Sequence, residues 1–238
     1  MVQTLFVILW VVLVTLFFSL VAIFGSLIDR KGELPHKIAR IWSRSILAGS
    51  RVRVLVKNLS NIDPSRSYIY MSNHQSAFDI PVLLAYLPVQ FKWLAKAELF
   101  KIPLFGFAMR RAGYISIDRS NLKSAISSLK KAAETIKKGV SVIIFPEGTR
   151  SRDGKISPFK KGGFVLAVEA GVPVVPVIIH GTRSIMSKNR LRIRPGQVVL
   201  EIGKPIETSQ YSRKNRDDLL KRVRQIIIES FENGKNLA

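Results

Sequence analysis

Hydrophobic and polar positions change rhythm twice along this chain. From Val2 to Ile28 the residues are mostly apolar, with no charged side chain and no alternating polar face. A helix of about 25 residues rising roughly 1.5 Å each is about 37 Å long, against a hydrocarbon core of about 30 Å. This first stretch is therefore expected to be embedded in a membrane. A secretory signal fits poorly, because no basic segment precedes the apolar run and the run is too long. From Leu34 to Gly49 the rhythm becomes helical: Leu34, Ile38, Ile41, Trp42, Ile46 and Leu47 recur, with Lys37, Arg40 and Arg44 between them. That pattern predicts an amphipathic interfacial helix. Gly25, Ser26 and Gly32 break the pattern where a turn would fold the two segments into a hairpin.

Beyond Arg51 the rhythm changes again. Val52, Val54 and Val56 recur at every second position with the basic Arg53 and Lys57 in the alternate register, which predicts a half-buried strand. Strands are likewise expected at 67–71, 91–95, 114–118, 140–145, 174–179 and 198–202. Ile80 to Leu87 reads as a helix. A longer one is expected after a Ser120 cap, with Leu122, Ile126, Leu129, Ala133 and Ile136 on one face and a stop at Gly139. A short helix ends at Gly171, and Asp217 to Phe231 closes the chain as an amphipathic helix. Strands alternating with helices predict a single α/β domain with a largely parallel or mixed sheet flanked by helices. The expected division is 1–49 as membrane anchor and 50–238 as the α/β domain.

Composition narrows the chemistry. The chain has 38 Lys and Arg against 16 Asp and Glu, a formal charge of +22, and none of it lies in residues 1–28. Such a surface calls for an anionic partner: nucleic acid, anionic lipid headgroups or a phosphorylated substrate. The Lys/Arg excess follows the apolar segment, so the body of the protein is expected on the cytoplasmic side of an inner or plasma membrane. There is no cysteine, which excludes disulfides, a thiol nucleophile and thiolate metal sites. The histidines, His36, His74 and His180, are too scattered to suggest a metal cluster.

Three polar clusters fall at strand ends or in loops. The first is NHQSAFD, from Asn73 to Asp79. His74 is a natural base near neutral pH, and Asp79 can accept its Nδ1–H and fix the tautomer. No G-x-S-x-G elbow, cysteine or Walker A loop supplies a nucleophile. The base is therefore expected to activate a hydroxyl belonging to the substrate. The second is FPEGTR, from Phe145 to Arg150, whose arginine suits a phosphate and whose Gly148 lets the backbone approach closely. The third is GYISIDR, from Gly113 to Arg119, with Lys96 and Glu98 upstream. Taken singly, each is also compatible with an ordinary polar turn.

In order, NHQSAFD, GYISIDR, FPEGTR and then VPVVPV (Val172 to Val177) resemble the glycerolipid acyltransferase family, and within it the bacterial 1-acyl-sn-glycerol-3-phosphate acyltransferases. The resemblance runs from about Tyr68 to His180. It implies acyl transfer from an acyl carrier protein or coenzyme A thioester to the sn-2 hydroxyl of lysophosphatidic acid, giving phosphatidic acid. It implies His74 as the base and Asp79 as its orienting acid. Arg119, Glu147, Gly148, Thr149 and Arg150 match the family's acceptor-binding residues, with Lys96 a further candidate. Glu147 is expected to hold an arginine or the glycerol hydroxyls. The VPVVPV run is expected to support the site or the acyl chain. No metal or cofactor is implied, because the donor is already an activated thioester.

Other readings remain open at this stage. The acceptor could be glycerol 3-phosphate or another lysophospholipid, since the motifs are shared. The basic charge alone would also suit a membrane-tethered nucleic-acid-binding protein. Its basic residues are dispersed, however, and no ribonucleoprotein, zinc-knuckle or helix-turn-helix signature is present. A membrane-anchored scaffold with a dead site conflicts with the intact His74 and Asp79.

Overall fold

The computed structural model describes residues 2–29, 31–118, 122–188 and 190–234. Helix α1 (Val2–Ile28) and helix α2 (Glu33–Gly49) run antiparallel as a hairpin. The Trp10 indole N–H donates to the Ser45 carbonyl at 3.0 Å, and the Trp42 indole N–H donates to the Thr15 hydroxyl at 3.0 Å. In the turn, the Asp29 carboxylate accepts from the backbone N–H of Lys31 at 2.8 Å and of Leu34 at 2.5 Å. Gly32 turns with φ +74°, and a Cβ there would collide with the Ala112 carbonyl.

The hairpin is not a separate appendage. Val7, Val14, Ile46 and Leu47 belong to the same buried cluster as the strands. Helix α2 differs from a helix lying free at an interface. It packs between α1 and α3 and buries Pro35, His36, Ile38, Ser43, Ile46 and Leu47, while Lys37 and Arg44 stay exposed. One face of α1 is covered by protein, and Leu5, Phe6, Leu9, Phe17, Phe24 and Ile28 on the other are exposed. Among the described residues α1 is the one helix long and apolar enough to cross a membrane.

The rest alternates as the sequence predicts, with strands β1 (Val52–Lys57) and β2 (Ile69–Ser72), helix α3 (Asp79–Tyr86) and strand β3 (Phe91–Lys96). Helix α4 (Phe105–Arg111), strand β4 (Ile115–Ile117), helix α5 (Leu122–Lys137), strand β5 (Ser141–Ile144) and helix α6 (Gly162–Ala170) follow. Strand β6 (Val174–His180), helix α7 (Thr182–Ile185), strand β7 (Gly196–Ile202) and helix α8 (Arg216–Asn233) complete the order. The expected Ser120 cap of α5 lies outside the described residues. Helices α4 and α7 were not anticipated, being too short to establish an apolar period.

Among the described residues seven strands form one sheet in the order β1-β7-β6-β2-β5-β3-β4, parallel throughout except for the β6–β7 pair. Both faces are covered. Tyr70, Phe91 and Ile143 face the layer of α1 to α4, and Ile69, Val142 and Ile144 face the layer of α5, α6 and α8. Burial on both faces explains why the central strands read as continuous apolar runs. The VPVVPV segment enters β6 at the middle of the sheet, where Val174, Val175 and Val177 are wholly buried. There it pairs with β2.

Candidate active site

Strands β2 and β5 are parallel neighbours, so the loops leaving them emerge at the same edge of the sheet. The β2 loop carries His74 and the β5 loop carries Phe145 to Arg150. Two backbone ties lock them together: the His74 N–H donates to Glu147 Oε1 at 2.7 Å, and the Ser151 N–H donates to the His74 carbonyl at 2.8 Å. Asn73 fastens the β2 loop to β6, donating to the Ile179 carbonyl at 2.9 Å and accepting its N–H at 2.8 Å.

The chain then folds back so that Asp79, opening α3, meets the imidazole. Asp79 is fully buried. Its Oδ2 lies 2.8 Å from His74 Nδ1 and accepts the backbone N–H of Gln75 at 2.7 Å and of Ser76 at 2.8 Å. Its Oδ1 accepts the Thr182 hydroxyl at 2.5 Å. The Phe145 ring stacks on the imidazole, with centroids 3.9 Å apart and planes 9° apart, and Trp93 backs Phe145 at 5.5 Å. The ring is thereby fixed in plane and in rotation. With Nδ1–H given to Asp79, the Nε2 lone pair is left for a substrate proton.

His74 lies in the wall of a cavity of about 520 Å³. Its apolar part reaches Phe18 and Ala22 of α1, Trp42 of α2, Met109 of α4 and Leu94 of β3. Lys96, Gly148, Thr149, Arg150 and Lys188 also line it. Gly148 sits at φ +77°, a left-handed turn that brings the backbone round. Lys188 Nζ donates to the Arg150 carbonyl at 2.8 Å and to the Thr149 hydroxyl at 3.0 Å. Lys96 is exposed and pairs with Glu98 at 2.9 Å. One cavity therefore joins a base, three cations and a long apolar sleeve.

Among the described residues Glu147 is ion-paired with no arginine, and its carboxylate meets loop backbone. It is 2% exposed, and its second oxygen accepts the Ser157 N–H at 2.8 Å, so its carboxylate clamps the backbone of two loops. Burial pushes this carboxyl up, opposed by the N–H groups of Ser157 and His74. Arg119 lies outside the described residues. Three contributors escaped the sequence reading as individual residues: Thr182, Lys188 and the Phe145 ring. Only Phe145 had a local signal, inside FPEGTR next to the phosphate-type arginine.

Such a site defines a class: an α/β protein whose His–Asp pair opens on an apolar cavity rimmed by cations. Comparison with known proteins is specific. Residues 53–180 match the Acyltransferase family model, and the chain belongs to that family. It is 39% identical over 211 residues to the chloroplastic 1-acyl-sn-glycerol-3-phosphate acyltransferase BAT2 of Brassica napus, covering 87% of this chain and 59% of that protein. It is 33% identical over 217 residues to the human alpha form, covering 91% of this chain and 77% of that one. The chain thus spans little more than half the length of the chloroplastic relatives, 59% and 55% in two of them. The crystal structure of the lysophosphatidic acid acyltransferase PlsC of Thermotoga maritima superposes with a TM-score of 0.84 at 31% identity, covering 98% of this chain and 94% of that one.

Proposed function

We propose that this protein transfers an acyl group from a thioester donor to the sn-2 hydroxyl of 1-acyl-sn-glycerol 3-phosphate, making phosphatidic acid. One observation carries the reading. The His74 base, the Arg150 and Lys188 cations and the apolar sleeve share a single cavity. The acceptor has those three features in one molecule: a hydroxyl, a phosphate and an acyl chain.

His74 Nε2 takes the hydroxyl proton as that oxygen adds to the thioester carbonyl. The tetrahedral adduct collapses, the carbon–sulfur bond breaks, and the new ester remains on the acceptor. The proton held by His74 passes to the departing thiolate sulfur. Asp79 keeps the ring oriented and stabilises the imidazolium formed in between. Arg150 and Lys188, with Lys96 at the rim, hold the acceptor phosphate by charge-assisted contacts.

The bare face of α1 would lie in the apolar layer of a membrane, bringing the cavity to the depth where a lysolipid resides. The basic surface would face anionic headgroups on the cytoplasmic side, each charge worth about 1 kcal/mol near such a leaflet. The sleeve favours an acceptor that already carries a chain over glycerol 3-phosphate. The test is the full chain in mixed micelles with radiolabelled lysophosphatidic acid, glycerol 3-phosphate and monoacylglycerol offered in parallel. Acyl-carrier-protein and coenzyme A thioesters serve as donors. Phosphatidic acid from lysophosphatidic acid is the expected product. Transfer to glycerol 3-phosphate in preference would overturn the acceptor assignment.

A further inference from the structure

A second cavity, of about 530 Å³, is lined by Arg152, Arg183, Arg190, Arg192 and Arg194 with Ser184 and Ser187. Residues close in the chain line the two cavities: Arg150 and Lys188 line the catalytic one, while Arg152, Arg183 and Ser187 line the other. The second is braced by Arg183, whose guanidinium donates to the Arg152 carbonyl at 3.1 Å, and by the Arg194 N–H, which donates to the Ile185 carbonyl at 2.9 Å. Among the described residues no carboxylate lines the pocket, and none of the five arginines is ion-paired. Like charges gathered without counter-charge create a field that favours a bound anion.

We propose that this pocket binds the phosphate end of the acyl donor, the phosphate that terminates the pantetheine arm. The proposal rests on the acyltransferase reading. That reaction brings together two substrates that both carry phosphate, and one cation cluster cannot hold both. Lys188, Arg150 and Lys96 stand where the acceptor phosphate belongs. A donor has its phosphate at one end of the arm and its thioester at the other. Its anion site must therefore be beside the catalytic cavity and separate from it. The chain meets that geometry at Thr182 and Arg183: Thr182 donates to Asp79, and the next side chain lines the arginine pocket. Five guanidiniums also exceed what a single phosphate engages through one planar fork, and they suit the several phosphates of coenzyme A or an acidic carrier surface. Leu191, 74% exposed between Arg190 and Arg192, would instead suit an anionic bilayer, as the arginines themselves would.

The test uses the full chain and the double variant R192Q/R194Q, at two exposed positions outside the catalytic cavity. Lysophosphatidic acid is held saturating in neutral detergent micelles. Three donors with the same acyl chain are varied: acyl-coenzyme A, the acyl carrier protein thioester, and acyl-pantetheine, which has no phosphate. Losing guanidinium–phosphate contacts should raise the donor KM about tenfold or more for a phosphate-bearing donor. The acceptor KM and the rate with acyl-pantetheine should stay as in the parent. Calorimetric binding of free coenzyme A should weaken in parallel if coenzyme A is the donor. A rise confined to the carrier-protein thioester supports the site and identifies that source. An unchanged donor KM, or an equal loss with acyl-pantetheine, overturns it. Unchanged donor KM together with lost sedimentation on phosphatidylglycerol vesicles assigns the pocket to lipid. A parent that transfers nothing from any donor overturns the acyltransferase reading itself, whereas an active parent with an indifferent variant overturns only the donor site.

Discussion

At Asp79 three N–H groups converge on one carboxylate oxygen and a hydroxyl on the other, so the group that orients His74 is itself held at four points. A base fixed this firmly should matter greatly to turnover. His74→Ala is expected to lower kcat by about 10²–10⁴-fold with the fold intact, measured as phosphatidic acid formation alongside circular dichroism. Near-normal transfer by the folded variant would remove His74 from the mechanism. Arg150 acts on binding instead. Arg150→Ala should weaken use of lysophosphatidic acid about 10- to 100-fold, the loss of a charge-assisted contact. It should barely affect a neutral monoacylglycerol, and equal loss on both acceptors would make Arg150 structural. The His74 and Asp79 spacing was visible in the chain because both lie in one loop. Thr182 was not, since it stands 103 residues from Asp79 and reaches it only because β6 runs beside β2. Lys188 was hidden for the same reason. Glu147 was visible as a carboxylate in a loop motif, but only the folded loops reveal the two N–H groups it satisfies.

Elements differ in how plainly their sequence announces them. The apolar run of α1, the stripe of α2 and Gly32 between them predicted a hairpin, although Gly25 and Ser26, read as breaks, lie within α1; Trp10 and Trp42 close it by bonding to the opposite helix. What the pattern did not reveal is that the hairpin walls the catalytic cavity through Phe18, Ala22 and Trp42. Nor did it reveal the anchor of the turn. Lys92, in a segment read only as a strand, is 5% exposed and donates to the carbonyls of Lys31, Gly32 and Ala112. A tether would be dispensable for soluble short-chain substrates, whereas a wall is not. A chain starting at Leu34 is therefore expected to aggregate or to lose turnover even on short-chain acceptors in detergent. Size-exclusion chromatography with a parallel short-chain assay checks this. A monodisperse, fully active truncation would show that α1 serves attachment alone.

The whole molecule depends on where the hairpin meets the sheet, and that junction contains a buried histidine. His36 is 1% exposed, with its Nδ1 3.2 Å from the Tyr114 hydroxyl and its ring edge-on to Phe91. Burial, reinforced by the nearby charges of Lys92 and Arg40, pulls its pKa from 6.5 down to about 3. In the unfolded chain the ring protonates near 6.5, so between about 3 and 6.5 the unfolded state binds the extra proton. Stability therefore has its full value above pH 6.5 and falls as the pH drops towards 3. A shift of this size corresponds to a loss on the order of 3–5 kcal/mol from this group alone. His36→Leu removes the titration while keeping an apolar side chain of similar reach. It should flatten the acid limb of stability in urea unfolding at pH 7.5, 6, 5 and 4, whatever it costs at neutral pH through the lost Tyr114 contact. Parent and variant curves that stay parallel down to pH 4 would show that His36 is charged in the fold. The acid sensitivity would then have to come from the carboxylates that the loops and surface hold.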